Sequence, residues 1–142
     1  MEKTIKAIKR CKDLIGEIRE KKLPPAILYE YAIELAANRT FISSLAIDCW
    51  EEARFAEELA KNKENDIYEE TKLAEKASIK DTEVKAKQAT KELRKDAIKK
   101  ASKARKLDAF MKNVDNVIST IQTKISFLKT EKIDTSLPEA SK

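Results

Sequence analysis

Histidine is absent from the 142 residues, and glycine occurs once. Without histidine there is no Ser-His or Cys-His nucleophile pair, no imidazole metal ligand and no side chain that ordinarily changes charge near neutral pH. The Glu-x-x-His ligand pattern of di-iron bundles is excluded on the same ground. Average usage would supply roughly ten glycines in a chain of this length, so one leaves little material for phosphate-cradling loops or serial tight hairpins. Two cysteines cannot build a four-thiolate zinc site and do not amount to a disulfide framework. Cys11 and Cys49 sit inside apolar helical patterns and read as small core hydrophobes. No apolar run approaches the ~18 residues of a membrane span. The start, Met1 to Arg10, has no uninterrupted apolar stretch of the signal-peptide kind. A soluble, cytoplasmic protein with no membrane partner, no metal and no cofactor is expected, and enzyme activity is not.

What is present is helix-forming material. Hydrophobic residues make up 42% and charged residues 39%, and the two alternate with helical period. Ile8, Cys11, Ile15 and Ile18 form one stripe over residues 2–22, which ends at Leu23-Pro24-Pro25 because a proline pair cannot continue a helix. Gly16 weakens this helix by about 1 kcal/mol relative to alanine. Over 26–61, Leu28, Leu35, Ile42, Cys49 and Ala56 recur every seven residues, with Tyr31, Leu45 and Leu59 at the complementary positions. Asn38 falls in that series, where a buried amide fixes register. A second apolar line of Tyr29, Ile33, Ala36, Ile47 and Trp50 predicts that this helix is covered on two faces.

The polar run Asn62 to Asp66 interrupts the pattern, and Asn65 or Asp66 is a candidate cap for a short helix over 66–77. Asp81 is the candidate cap of the next helix. From 82 to 131 there is no proline or glycine. Ala86, Thr90, Leu93, Ala97, Lys100, Ala104, Leu107, Met111, Val114, Ile118, Ile121, Ile125 and Leu128 step by four and three throughout. These elements predict an all-α fold: an elongated antiparallel helical bundle or coiled coil of three main helices plus one short one. One domain over 1–131 and a flexible tail over 132–142 complete it. The apolar C-terminal half of the last helix, Met111, Val114, Ile118, Ile121, Ile125 and Leu128, is the expected interface of a homo-oligomer, since isoleucine at both seam positions favours more than two strands.

Charge is distributed unevenly. Residues 85–106 hold ten basic and two acidic side chains, an excess of +8 against a whole-chain net of +5. An ordinary solvated helix mixes signs at i,i+4, whereas here Glu92 and Asp96 are the only relief. Lys91, Lys95, Lys99 and Lys106 lie nearly opposite the apolar seam, flanked by Lys87, Arg94, Lys103 and Arg105. Three readings follow: binding to the phosphate backbone of nucleic acid, pairing with Glu51, Glu52, Glu57 and Glu58 across a hairpin, or a plain solvated surface. Lysine meets phosphate as a point charge, so base-specific readout is not expected. Trp50, Phe41 and Phe55 are of the type that stacks bases, but Asp48, Glu51 and Glu52 beside them repel phosphate, which favours packing.

The stretch Lys99-Lys100-Ala101-Ser102-Lys103-Ala104-Arg105-Lys106-Leu107-Asp108-Ala109-Phe110 resembles the basic-then-aromatic segment of small all-helical phage recombination mediators of the UvsY type, and 107–128 resembles their final helix. This chain has an additional Lys106, an alanine before a single aromatic, and a later position for the segment. The resemblance implies an oligomer driven by the last helix, with Lys103 and Arg105 as strand-contacting positions. The expected function is therefore single-stranded DNA binding, as a phage or bacterial recombination or replication accessory. The alternative is a protein-binding adaptor or inhibitor, such as an anti-defence factor or assembly scaffold.

Overall fold

A computed structural model describes the backbone of residues 2–75 and 78–140 and the side chains of 2–74 and 78–129. The fold is all-α: α1 (Glu2–Glu20), α2 (Pro25–Glu75), α3 (Ile79–Ala89) and α4 (Lys91–Ala140). Among the described residues there is no strand, and no helix is long and apolar enough to cross a membrane.

The boundaries follow local chemistry, sometimes differently from the sequence reading. Helix α1 ends at Glu20, four residues before Pro24. Helix α2 opens on Pro25, at a position where a missing N–H costs nothing, and the Pro24 carbonyl accepts from Ile27 N and Leu28 N, both at 3.1 Å. The break expected at 62–66 does not occur, and neither Asn65 nor Asp66 is a cap. That run is polar but holds no proline or glycine, and its residues cost a helix only tenths of a kcal/mol each, up to about 0.7. The true break comes at Ser78, whose hydroxyl accepts from Asp81 N at 3.2 Å; Ser78, not Asp81, is the N-cap of α3. The long helix expected from 82 to 131 is divided at Thr90, which has φ −103° and ψ 11°. The Thr90 hydroxyl donates to the Ala86 carbonyl at 2.9 Å, a back-bond that bends helices. The Lys87 carbonyl beside this break is taken by the Arg94 guanidinium. The expected tail from 132 carries helical backbone as far as Ala140; its side chains and residues 141–142 lie outside the described residues.

The helices sort into two compact units, Met1–Leu45 with Asp108–Lys142, and Ala46–Leu107. The first is a three-helix unit with a conventional apolar core. Cys11, Leu14 and Ile15 of α1, Leu28, Leu35 and Ile42 of α2, and Val114 and Ile121 of α4 are all buried in this unit. A polar belt fixes the helices around it. Arg10 grips Glu34 through Nε at 2.6 Å and Nη2 at 3.1 Å, and Tyr31 donates its hydroxyl to Glu17. These two contacts run in opposite order along the chain, so α1 and α2 are antiparallel. Arg39 Nη2 donates to Asp115 Oδ2 at 3.0 Å and joins α2 to α4, and Lys12 Nζ lies 5.9 Å from the Phe110 ring centre.

The second unit is built on small side chains. Ala46, Cys49, Ala53, Ala56 and Ala60 form a buried line along α2, and Ala86 of α3 and Ala97 and Ala104 of α4 are buried in the same unit. Thr71, Thr82 and Thr90 are buried with them. Alanine at a contact lets helix axes come to the near end of the ~8–10 Å range. The link from Glu75 to Lys91 is too short to return the chain to the level of Ala46, so α2 and α4 are antiparallel here.

Two expectations about α2 are corrected. Its second apolar line is not buried among the described residues: Tyr29, Ile33, Ile47 and Trp50 are exposed. Asn38 is only half-buried, and its amide donates to the Glu34 carbonyl of its own helix at 2.8 Å, so it does not act as a cross-helix register device.

Candidate nucleic-acid interface

The basic block lies in the second unit, on α3 and the first four turns of α4. At about 100° per residue, Lys91, Lys95, Lys99 and Lys106 share one arc of α4, turned away from the buried Ala97 and Ala104. All four are exposed, as are Lys87 on α3 and Lys103 and Arg105 on the flanks. Arg94 differs: it is half-buried and spends its guanidinium partly on the Lys87 carbonyl. That contact makes it a clasp across the α3–α4 break.

Two ion pairs within the block are short-range. Lys95 Nζ lies 3.6 Å from Glu92 and Lys100 Nζ 3.2 Å from Asp96, each within one turn of α4. Glu57, one of the acidic residues that could neutralise the block, pairs instead with Lys61 of its own helix at 3.5 Å. Lys91, Lys99, Lys103 and Lys106 form no ion pair among the described residues. Pairs this exposed contribute between ~0 and 1 kcal/mol, so they leave the lysines available to phosphate.

Beside the basic arc lies a groove of about 690 Å³ between α2 and α4 of this unit. Its floor is Ala53, Ala60, Ala97 and Ala101, with Trp50 and Ile98 as its large apolar side chains. Arg54, Lys61, Arg94 and Arg105 line it, together with Glu57 and Glu64. The groove exists because alanine fills the seam without filling the furrow next to it. It is a feature that sequence reasoning missed. Along the chain Trp50 is followed by Glu51 and Glu52, but on a helix these point about 100° and 200° away from it. The residue one turn on, Arg54, is the one that faces the same way, and neither Glu51 nor Glu52 lines the groove.

The residues expected to form an oligomer interface lie in the first unit. Val114 and Ile121 are buried in its core, at 0% and 2% exposure. Met111, Ile118, Ile125 and Leu128 are half-buried, so they keep a partly open edge along α4. Among the described residues no group of three or more Cys, Asp or Glu is placed to hold a metal ion. No family model, curated protein or solved structure matches the chain.

Proposed function

We propose that this is a non-enzymatic, self-associating protein that binds single-stranded DNA through the lysine face of α4, as an accessory of recombination or replication. The observation that carries the reading is the state of the basic block. Its lysines are exposed except Lys100, which is half-buried, and its ion pairs to Glu92 and Asp96 are local, which is what a phosphate-binding surface needs. A hairpin that hid the block against Glu51–Glu58 would have argued for the adaptor. The resemblance of 99–110 to phage recombination mediators supplies the biological setting. Self-association is assigned to the open edge of α4 at Met111, Ile118, Ile125 and Leu128.

The test is binding of a labelled oligothymidine followed by anisotropy. Replacing Lys91, Lys99 and Lys106 together by glutamine should weaken binding to all sequences alike. It should also flatten the dependence on salt by about 0.7 in log K for each phosphate that is no longer neutralised. Helicity should not change. If the triple variant binds as wild type does, the strand is held elsewhere and the assignment fails. The adaptor reading has one observation of its own, the exposed pair Tyr29 and Ile33 one turn apart on α2. It takes the lead if the wild-type protein binds no strand.

A further inference from the structure

We propose that the groove of the second unit is a base-stacking subsite, in which Trp50 receives an unpaired nucleobase while Arg54 and Arg105 flank the adjoining phosphates. The inference rests on the reading of the protein as a single-strand binder and adds a specific place where the strand leaves the lysine face.

The geometry supports a planar, anionic-backed occupant. The floor at Ala53, Ala97 and Ala101 offers only methyl groups, so depth is available beside the Trp50 ring. Trp50 is 37% exposed and Ile98 67%, an apolar pair that water solvates poorly and that suits the face of a ring. Four cationic side chains line the groove against two carboxylates. The carboxylates are not evenly spread. Because α2 and α4 are antiparallel, Trp50 at the start of the α2 stretch lies at the same end as Arg105, whereas Glu64 lies at the Arg94 end. Glu57 is two turns from Trp50, about 10 Å along the axis. The indole therefore sits at the positive end.

Continuity with the lysine arc completes the argument. Arg105 is adjacent in sequence to Lys106 and about 100° from it around α4. A strand whose phosphates follow Lys91 to Lys106 reaches the groove by crossing one edge of one helix. Every base presents a π-face, so such a subsite adds affinity without sequence preference. A base held in a duplex cannot enter, so the subsite also selects single strands.

Trp50 is the one tryptophan of the chain, and its emission reports on the groove directly. Titration of the wild-type protein with oligothymidine should give saturable quenching that tracks anisotropy, and a blunt duplex of equal length should give little. Trp50→Ala should weaken strand binding about 5- to 100-fold at fixed salt with the salt slope unchanged, and Trp50→Phe should retain most of the affinity. Arg54→Gln with Arg105→Gln should instead flatten the slope by ~0.7 for each phosphate no longer neutralised. A strand that binds with emission unchanged and with wild-type affinity for Trp50→Ala overturns the subsite and leaves the lysine face standing. A wild-type protein that binds no strand overturns both.

Discussion

Ala104 is the sharpest probe of how the second unit holds together. Its side chain is fully buried, at 0% exposure, in the unit whose α2 side is the alanine line. If the helices are close because alanine spaces them, a larger residue has nowhere to go. Ala104→Leu adds three carbon atoms to a closed contact and should cost about 1–3 kcal/mol through overpacking. Leucine is otherwise a good helix former and would be near neutral on an open surface. Ala104→Gly should cost about 1 kcal/mol in helix propensity and a further ~0.8 kcal/mol for removal of the buried carbon. Stability thus has a maximum at alanine. The exposed Ala109 is the control, where leucine should be neutral and glycine should show the propensity cost alone. Urea unfolding followed by circular dichroism measures all four. In thermal melts 1 kcal/mol corresponds to roughly 2–4 °C for a chain near this size, so Ala104→Leu should melt several degrees lower. A neutral or stabilising Ala104→Leu would refute the close-packed seam and with it the origin of the groove.

Other expectations concern the first unit and the thiols. An added Cβ at Gly16 meets no atom within 4 Å, so Gly16→Ala should stabilise by about 0.5–1 kcal/mol, read as a higher melting temperature; a loss would mean the position is closed. The Arg10 hydrogen bond holds the Glu34 carboxyl below its usual range. Its contribution is complete above the unfolded-state value of about 4.3 and disappears as pH falls through the lower folded value. Glu34→Gln should therefore be less stable at neutral pH, by up to ~1 kcal/mol, and lose less than wild type on acidification in urea titrations at each pH. Burial pushes the Cys11 thiol up, and Cys49 is buried as well. Both should react with a thiol reagent only as fast as the protein opens, and prompt labelling of the native protein would contradict their core placement.

The four-three stepping of Ala86 to Leu128 was legible in the sequence because burial imposes it. Every position in that series is buried or half-buried, even Lys100. The proline pair likewise marked the α1–α2 turn without help from tertiary context. The errors share a cause. Polar composition at 62–66 reads as a break, but a helix ends where backbone groups find other partners, and Ser78 supplies one while Asn62 to Asp66 do not. Thr90 occupies a seam position and reads as core, yet its hydroxyl also competes for a backbone carbonyl and divides the helix. The second apolar line of α2 predicts a covering element because apolar residues prefer burial, but among the described residues Tyr29 and Ile33 stay exposed. The groove was invisible because its signal is the absence of bulk. Alanine at 53, 60, 97 and 101 looks like ordinary helix filler until two such helices are placed side by side.

The central claim is that exposed lysines on α4 hold a phosphate backbone, and the salt dependence of wild-type binding tests it most directly. Four phosphate contacts on a single strand give a slope of about −2.8 in log K against log salt, a loss of roughly fifty-fold between ~50 and ~200 mM. Anisotropy of a labelled oligothymidine over that range should show this slope, with heterogeneous strands falling on the same line. A slope near zero, or no binding at ~50 mM salt with micromolar protein, would contradict the account and leave the basic face as a solvated surface.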